Sequence, residues 1–315
     1  MKDGFKREIT YLRLSVTDRC NLRCRYCMPA EGVCLRPHAD FLSEEEMVRA
    51  VEVASELGIR KVRLTGGEPL VKKNILSIAK RIASVPGIRD VSMTTNGILL
   101  PELGKDLLAA GVKRVNISLD TLDPAKYAAI TRIGRFENAW KGIESAIETG
   151  FEKIKLNCVL IGGFNDGEIR DFAELTLRYP IDVRFIELMP MGTGEFGSGA
   201  YLPVDAVRKA LPEAEESTVD GVARRLKLPG ALGYVGIISP LSDLFCDRCN
   251  RMRLTADGKL KPCLHFGTEF PIRGLSREEV KARFIQAIEA KPARHGALSC
   301  AEMSRAGRTM NAIGG

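Results

Sequence analysis

Two hydrophobic patterns alternate along the first two thirds of the chain. Short runs rich in β-branched residues predict strands at residues 11–16, 61–65, 90–94, 114–119, 153–160 and 182–187. Longer segments with apolar residues at helical spacing predict helices at residues 43–57, 75–83, 103–110, 138–149 and 167–178. Ser43 and Glu46 have the spacing of a capping box, and Gly58, Gly111 and Gly150 are expected to end helices.

This alternation indicates an α/β fold. Six β–α units imply a parallel sheet with helices outside it, and right-handed crossovers would curl the sheet into a partial TIM-like (β/α)6 barrel. In such barrels the chemistry lies on loops that follow the strands. The pattern ends in a glycine-rich stretch at residues 191–199. We therefore predict a barrel domain at residues 1–195 and a smaller α+β domain at residues 196–315.

Composition narrows the class of protein. The 315 residues carry a formal net charge of +7, and no apolar run is long enough to cross a membrane. Because no apolar segment follows the charged N-terminus, the chain is expected to be cytoplasmic. Its nine cysteines then indicate metal binding or redox chemistry and not disulfides. The positive charge fits either a solvated basic surface or a pocket for a polyanion.

Cys20, Cys24 and Cys27 form a C-x₃-C-x₂-C run directly after the first predicted strand. Three thiolates can hold three irons of a 4Fe–4S cubane and leave the fourth iron open to a small molecule. A structural zinc site is the alternative, but it normally needs four ligands, and His38 is too isolated to be the fourth. Tyr26 lies between the last two cysteines, where its side chain can flank a bound molecule.

This run, with an aromatic residue before its last cysteine, resembles the defining motif of the radical S-adenosylmethionine (SAM) superfamily. The resemblance implies that SAM chelates the open iron and is cleaved to a 5′-deoxyadenosyl radical. The TGGEP segment at residues 65–69 matches the superfamily segment that holds the methionine amino group. Its glycines would let the backbone approach a ligand closely, and Glu68 would accept a hydrogen bond from the ammonium group.

A second group comprises Cys246, Cys249 and Cys263 in the spacing C-x₂-C-x₁₃-C. An Asp-Gly pair at residues 257–258 predicts a tight hairpin between strands at 251–255 and 259–261, which would return Cys263 toward Cys249. These thiolates also suit a cubane with an open iron. A zinc ribbon with His265 as its fourth ligand is the alternative.

The two cysteine motifs, the TGGEP segment and the diglycine end together resemble the GTP 3′,8-cyclase family of molybdenum cofactor biosynthesis, from about Leu12 to the C-terminus. The resemblance implies a second 4Fe–4S cluster whose open iron binds the guanine of GTP. It also implies that the radical abstracts the 3′ hydrogen of the ribose and that the sugar radical attacks C8 of guanine. The activity would be that of a lyase making (8S)-3′,8-cyclo-7,8-dihydroguanosine 5′-triphosphate.

The resemblance assigns residues to both small molecules. Those matched to GTP are Arg13, Arg63, Thr94, Lys155, Arg251, Met252 and Arg253. Those matched to SAM are Tyr26, Gly67, Glu68, Ser118 and Met189. Alternation along a strand puts Arg251 and Arg253 on one face, as a triphosphate requires, although an exposed salt-bridge face would show the same pattern. Taken alone, Lys155 could face outward and Met189 could be a core residue.

Four residues are expected to act in catalysis: Arg251, Arg253 and the two glycines at the end of the chain, Gly314 and Gly315. Gly314 and Gly315 are implied by the resemblance to thread toward the active site, whereas a free diglycine end would ordinarily be disordered. Three cysteines lie outside both motifs and are expected to be small buried hydrophobes: Cys34, Cys158 and Cys300.

The expected partners are GTP, an electron donor such as flavodoxin or ferredoxin, and a downstream cyclic pyranopterin monophosphate synthase. The protein is expected to be a monomer or homodimer and to bind neither nucleic acid nor a membrane.

Two other functions fit part of the pattern. A radical SAM enzyme that modifies a peptide would need more C-terminal cysteines than this chain has. A non-catalytic zinc or nucleic-acid-binding protein would be expected to interleave aromatic and basic residues, and only 6% of residues are aromatic.

Overall fold

The computed structural model describes residues 1–34, 36–191, 195–196, 198–296, 304 and 306–314. Its strands are β1 (Tyr11–Ser15), β2 (Lys61–Thr65), β3 (Asp90–Thr95), β4 (Val112–Ser118), β5 (Lys153–Leu160), β6 (Ile181–Glu187), β7 (Glu215–Asp220), β8 (Ala223–Lys227), β9 (Val235–Ile238), β10 (Arg251–Leu254), β11 (Lys259–Lys261) and β12 (Phe270–Pro271). Its α-helices are α1 (Glu44–Glu56), α2 (Ile75–Ala83), α3 (Leu100–Ala109), α4 (Pro124–Thr131), α5 (Phe136–Thr149), α6 (Ile169–Arg178), α7 (Asp205–Ala210), α8 (Arg277–Glu289) and α9 (Met310–Ile313). Every strand and helix predicted for the first two thirds is present.

The predicted helix ends are confirmed. Glu46 N donates to Ser43 Oγ at 3.2 Å, and Ser43 N donates to Glu46 Oε2 at 2.9 Å, which completes the capping box. Gly58, Gly111 and Gly150 follow their helices with φ values of 99°, 95° and 80°. Residues with side chains rarely adopt such angles, so these glycines stop the helices where the sequence indicated.

The twelve strands form one sheet in the order β12-β11-β10-β1-β2-β3-β4-β5-β6-β9-β8-β7. Strands β1 to β6 run parallel as predicted, and β10 and β9 extend this run in parallel beyond β1 and β6. The outermost pairs are antiparallel, and they include the predicted hairpin of β10 and β11. The strands after residue 195 therefore flank the first six on both sides, and the division into two domains stays a prediction.

The two faces of the sheet differ in chemistry. Leu12 and Leu14 on β1 are fully buried in the main hydrophobic core with the outer helices. Between them Arg13 faces the other way and is the register partner of both Arg63 on β2 and Arg253 on β10. Parallel neighbours in register share a face, so three arginines stand side by side. The inner face is thus polar and cationic.

The sheet is curved around this polar face. Lys155 Nζ on β5 donates to Asp220 Oδ2 on β7 at 2.5 Å, although three strands separate β5 from β7. Neighbouring strands lie about 4.8 Å apart, so these two side chains meet only because the sheet bends around this face. The partial-barrel prediction is confirmed. No helix within the described residues combines the length and apolar content needed to cross a bilayer.

Candidate active site between two cysteine loops

The two cysteine groups lie at opposite ends of one pair of strands. Cys20 follows β1 at its carboxyl end, whereas Cys249 precedes β10, whose first residue Arg251 pairs in parallel with Tyr11 at the start of β1. Five residues of β1, at a rise of about 3.3 Å each, separate the loops by roughly 16 Å along the strand. A molecule the size of a nucleotide fits that span of the inner face.

The first cysteine loop is held against helix α4. Arg23 N donates to Thr131 O and Arg25 N donates to Ile130 O, both at 3.0 Å. Within the loop Cys27 N donates to Cys24 O at 2.9 Å, which makes a tight turn between the last two cysteines. The loop is therefore fixed by its own turn and by one neighbouring helix.

Burial raises the pKa of all three thiols in this loop. The value reaches about 11 for Cys20 and about 12 for Cys27. The pKa of Cys24 lies well above its usual range through burial first and then through the nearby Cys27 and Asp120. Such thiols stay protonated at neutral pH unless a metal replaces the proton. The raised pKa values argue against a cysteine nucleophile, and the fit to a metal cluster comes from the donor set itself, three cysteine sulfurs on one loop.

The paired glycines of the TGGEP segment pack against the backbone that leads into the first cysteine loop. Gly67 N donates to Thr17 O at 2.8 Å. A Cβ atom on Gly66 would lie 2.6 Å from Thr17 O, and one on Gly67 would collide with Arg19 O. The glycines are therefore required by a contact within the chain, while the contact of Gly67 with SAM stays a prediction.

Glu68 is buried among donors of its own fold. Its carboxylate accepts from Leu70 N at 3.0 Å, Thr95 Oγ1 at 2.7 Å and Asn96 N at 2.6 Å. Burial raises the pKa of Glu68 to about 7. A carboxylate has about four acceptor positions, so about one is left for an ammonium group. The predicted role in holding SAM is compatible with this arrangement.

The other residues matched to SAM lie at the same end of the barrel. Ser118 ends β4 and Met189 follows β6, where it packs beside a small apolar cluster that includes Ile313 of α9. Tyr26 Oη donates to Asp120 Oδ2 at 2.7 Å. Sequence analysis did not single out Asp120, whose position two residues after β4 was its signal. Burial raises the pKa of Asp120 to about 6.

The second cysteine group is surrounded by buried cations. Arg7 Nη1 donates to Cys246 O at 2.6 Å. Lys291, which follows α8, donates through Nζ to Arg251 O at 2.8 Å and to Pro262 O at 2.7 Å. Both cationic side chains are buried, and neither was singled out from the sequence. This loop is thus assembled from segments far apart in the chain.

The electrostatic surroundings of the second group favour thiolates. Burial tends to raise the pKa of Cys249, but Arg251 and Lys291 outweigh it and lower the value to about 6. Burial also opposes the shift at Cys246, whose pKa is lowered by a hydrogen bond with His295. A thiolate is the form that binds iron. The second trio therefore fits an iron–sulfur cluster as well.

The zinc alternatives have little support. His265 Nδ1 lies 3.1 Å from Ser304 Oγ, and its ring packs against the ring of His295 with the centroids 4.8 Å apart. In the described part of the chain, no three His, Cys, Asp or Glu side chains converge as a single metal ion requires. A cubane needs no such convergence, because each cysteine binds a different iron.

Buried and half-buried arginines line the inner face between the two loops. Burial lowers the pKa of Arg13 well below its usual range, and Arg253 lowers it further. Burial and the adjacent Arg251 lower the pKa of Arg253 to about 10. Arg63 Nε and Thr94 Oγ1 are buried without a hydrogen-bond partner among the described residues. Buried cations that repel one another are costly without an anion, and a triphosphate would supply one.

Lys155 faces inward and not outward. Its Nζ atom donates to Asp220 Oδ2 at 2.5 Å, and Arg184 Nη2 donates to the same oxygen at 2.6 Å. Burial lowers the pKa of Lys155 to about 8, and Arg184 contributes to the shift. Arg184 and Asp220 escaped sequence analysis, although the Asp-Gly pair at residues 220–221 is a turn signal. A phosphate bound at Lys155 would compete with Asp220.

Met252 differs from the other residues matched to GTP. It is fully buried in the main hydrophobic core, on the face opposite to Arg251 and Arg253, and its register partner is Leu12. The same alternation that joins the two arginines turns this side chain away from the inner face. The Met252 side chain therefore points away from the inner face, and the predicted contact of Met252 with GTP stays a prediction that concerns its backbone.

The C-terminal tail enters the inner face. Arg253 Nη1 donates to Gly314 O at 2.6 Å. Gly314 has a φ of 92°, and a Cβ atom there would lie 2.5 Å from Thr65 Oγ1 and 2.9 Å from Ser15 Cβ. The tail therefore reaches the carboxyl ends of β1 and β2, beside the first cysteine loop. Gly315 lies outside the described residues.

The cysteines outside the two groups have different surroundings. Cys158 on β5 is buried, as predicted. Cys34 is exposed, so the prediction of a buried hydrophobe is wrong for it. It lies in an irregular loop and not on the apolar face of a strand or helix. Cys300 lies outside the described residues.

Comparison with known proteins agrees with this geometry. One family model, described as Radical SAM superfamily, matches residues 14–176, and another, described as Molybdenum Cofactor Synthesis C, matches residues 181–297. A GTP 3′,8-cyclase of Moorella thermoacetica is 47% identical over 94% of this chain and 95% of its own length. One from Heliobacterium modesticaldum is 48% identical over the whole of both chains.

Solved structures resemble this chain in fold. SuiB of Streptococcus suis bound to its precursor peptide SuiA superposes with a TM-score of 0.64 at 16% identity, covering 91% of this chain and 66% of that chain. SuiB bound to S-adenosylmethionine gives a TM-score of 0.62 at 17% identity, covering 84% of this chain and 63% of that chain. At such low identity the likeness concerns the fold alone. By its family matches and its full-length relatives, the chain belongs to the GTP 3′,8-cyclase family of radical SAM enzymes.

Proposed function

We propose that this chain converts GTP to (8S)-3′,8-cyclo-7,8-dihydroguanosine 5′-triphosphate, an early step of molybdenum cofactor biosynthesis. The observation that carries the proposal is the row of three arginines on the inner face between two cysteine trios, of which Arg253 is buried and Arg13 and Arg63 are half-buried. A cationic interior of this kind suits a polyanion, and its length suits a nucleotide.

The end of the barrel that follows β1 is the proposed site of radical generation. Cys20, Cys24 and Cys27 would hold a 4Fe–4S cluster at which bound SAM supplies a 5′-deoxyadenosyl radical. Glu68 would accept a hydrogen bond from the methionine ammonium group through its remaining lone pair. The other SAM contacts would come from Tyr26, Gly67, Ser118 and Met189.

The opposite end is the proposed anchor for the substrate. A cluster held by Cys246, Cys249 and Cys263 would bind the guanine. The triphosphate and sugar would contact Arg13, Arg63, Thr94, Lys155, Arg251, Arg253 and the backbone of Met252. Fixing the base and the triphosphate holds the ribose between them, so that C3′ and C8 react as parts of one immobilised molecule.

The reaction balances with two external electrons, because one would be consumed when SAM is cleaved to methionine and the 5′-deoxyadenosyl radical, and the other reduces the nucleotide radical. The hydrogen atom leaves C3′, a bond forms between C3′ and C8, and the nucleotide radical then takes one electron and one proton. Gly314, held by Arg253, lies where it can exclude water from the end of the inner face that is beside the first cysteine loop. We expect a flavodoxin or ferredoxin as electron donor and a downstream cyclic pyranopterin monophosphate synthase, and we expect the enzyme to act in the cytoplasm as a monomer or homodimer.

Deuterium transfer tests the proposal. The product has the same mass as GTP, because the hydrogen lost at C3′ is replaced by a proton, so mass alone does not identify it. We therefore propose anaerobic incubation of the reconstituted full-length chain with 3′-deuterated GTP, SAM and dithionite. The 5′-deoxyadenosine should carry the deuterium, and a new nucleotide isomer should separate by chromatography.

A Cys24→Ser variant and a reaction without GTP are the controls. Neither should give deuterated 5′-deoxyadenosine. Cleavage of SAM by the wild-type chain with no deuterium transfer and no new isomer would contradict the proposed function.

A further inference from the structure

Three buried cations lie beside the second cysteine group, and one of them differs from the other two. Arg7 is paired with Asp3, whose Oδ2 atom lies 2.6 Å from Arg7 Nε. Lys261 is fully buried and is paired with Glu269 at 3.1 Å. Lys291 is only 3% exposed, yet no carboxylate lies within ion-pair distance of it among the described residues.

The hydrogen bonds of Lys291 do not compensate its charge. Its ammonium group donates to the carbonyl oxygens of Arg251 and Pro262, which are neutral acceptors. The carbonyls at the end of helix α8 add only a fractional negative charge. A buried ammonium group normally requires an anion, because removing its charge from water costs several kcal/mol.

The cysteine sulfurs of the second group can supply the missing negative charge. Burial lowers the pKa of Lys291, and Arg7 and Arg251 lower it further, whereas thiolates at Cys249 and Cys263 raise it. The two carbonyl partners belong to the residue two positions after Cys249 and the residue just before Cys263. One ammonium group thus bridges the two segments that carry these cysteines.

We infer that Lys291 is the counter-ion of the C-terminal iron–sulfur cluster and positions two of its three cysteine ligands, an inference that rests on the proposed function. Three thiolates outweigh the positive charge of an oxidised cubane core, so the cluster is an anion, and reduction makes it more negative. A fixed cation beside it favours the reduced state and raises the reduction potential. Lys291 is a positioning residue and does not contact the substrate.

The test measures the reduction potential of this cluster alone. The full-length chain carrying Cys24→Ser retains only the C-terminal cluster, and its potential is followed by electron paramagnetic resonance during a redox titration. Into that background we would introduce Lys291→Met, Lys291→Gln and Lys291→Arg. Lys281→Met is the matched control, because Lys281 is exposed on α8 and paired with Glu56 at 3.0 Å.

Loss of the charge should lower the potential. The Met and Gln variants should show a tenfold smaller equilibrium constant for reduction, about 59 mV more negative for a one-electron couple. The Arg variant and the Lys281→Met control should stay close to the parent. Gln retains N–H donors, so it separates the charge from the hydrogen bonds even where the Met variant fails to fold.

A Gln variant with the parent potential would overturn the inference. So would equal loss of iron from the Arg and Met variants, because that result assigns Lys291 to packing and not to charge. If the parent chain itself takes up no C-terminal cluster, the proposed function fails and the inference falls with it. Failure of the inference alone leaves the parent cluster in place.

Discussion

The two cysteine loops contain the same number of thiols in opposite surroundings. The thiols of the first loop lie near the carboxylates of Glu68 and Asp120, and burial keeps the pKa of Cys20 at about 11. The second loop lies among cations, where Arg251 and Lys291 overcome burial and bring the pKa of Cys249 to about 6. SAM carries a sulfonium cation and GTP carries a polyanion. The difference suggests that the charges around each cluster, and not its cysteines, select the molecule that binds.

The loops also differ in how they are built. The first is fixed by neighbours that follow the first strands, namely helix α4 and the TGGEP segment. The second depends on Arg7 at one end of the chain and Lys291 near the other. Both loops rely on distant segments, because α4 lies more than 100 residues after Arg23 and Arg7 lies 239 residues before Cys246, so each loop is complete only once the barrel has folded.

Removing one cysteine from each loop is the change with the largest expected effect. Cys24→Ser should abolish both SAM cleavage and GTP cyclisation, by at least about 1,000-fold, because members of one catalytic unit act together. Cys249→Ser should abolish cyclisation but leave SAM cleavage. Iron should fall from about eight to about four per chain in each variant. Chromatography of 5′-deoxyadenosine and nucleotides, with an iron assay, measures all three, and cyclisation by Cys249→Ser would refute the division of roles.

Replacing an arginine of the inner face should separate ligand binding from stability. Arg63→Met should weaken GTP binding about 100-fold, because it removes one or two charge-assisted hydrogen bonds at about 1.5–3 kcal/mol each. Without GTP the melting temperature should hold or rise, since Arg63 repels Arg13. Calorimetric titration measures the GTP affinity, and thermal unfolding measures the melting temperature.

The matched control is Arg225→Met. The Arg225 guanidinium also lies over an aromatic ring, at 4.1 Å from the centroid of Tyr234, as Arg63 lies over Tyr11 at 5.8 Å, but it is on β8. GTP affinity should be unchanged in this variant. A less stable Arg63→Met protein with normal GTP affinity would assign Arg63 to structure.

Displacing the tail should have a smaller effect that is confined to turnover. In Gly314→Ala the new methyl group meets Thr65 and Ser15, and φ is positive, so turnover should fall about 10- to 100-fold. Iron content and SAM binding should stay normal. Gly274→Ala is the control, because Gly274 has a φ of 75° but nothing within 4 Å of the added atom. Equal losses in both variants would point to backbone strain alone.

The change with the least bearing on turnover is a difference in alkylation of the metal-free chain. At pH 7 Cys249 is above its pKa of about 6 and should react as thiolate, with little change up to pH 9. Cys20 and Cys27, with pKa values of about 11 and 12, should react slowly and speed up about tenfold per pH unit. Peptide mass spectrometry after iodoacetamide labelling measures this, and equal labelling at pH 7 would remove the electrostatic contrast.

Local patterns predicted several helix ends correctly. The capping box at Ser43 and the glycines after three helices placed helix ends correctly. Helix α4 was missed although Asp123, whose side chain accepts from Ala125 N and Lys126 N, is a start signal followed by Pro124. The helix has only eight residues, so its apolar periodicity is short.

Long-range pairing explains what the sequence did not reveal about the site. Nothing in the spacing of Arg251 indicates that β10 lies beside β1, yet that pairing brings Arg253 into register with Arg13. The partnership of Lys155 with Asp220 likewise depends on a hairpin at the far edge of the sheet. Exposure of Cys34 was not predicted either, because burial depends on what covers a loop.

By itself the sequence determined the order of strands and helices, the two cysteine trios, the TGGEP segment and the resemblance to the family. Each is a pattern within a short stretch, governed by backbone geometry, hydrophobic periodicity and ligand chemistry. Only the tertiary structure decided which cations share the inner face, that the tail reaches β1 and β2, and that Lys291 meets no carboxylate partner among the residues that the structure describes. Those facts depend on which distant segments pack together, and packing is set by the free energy of the whole fold and not by any local stretch.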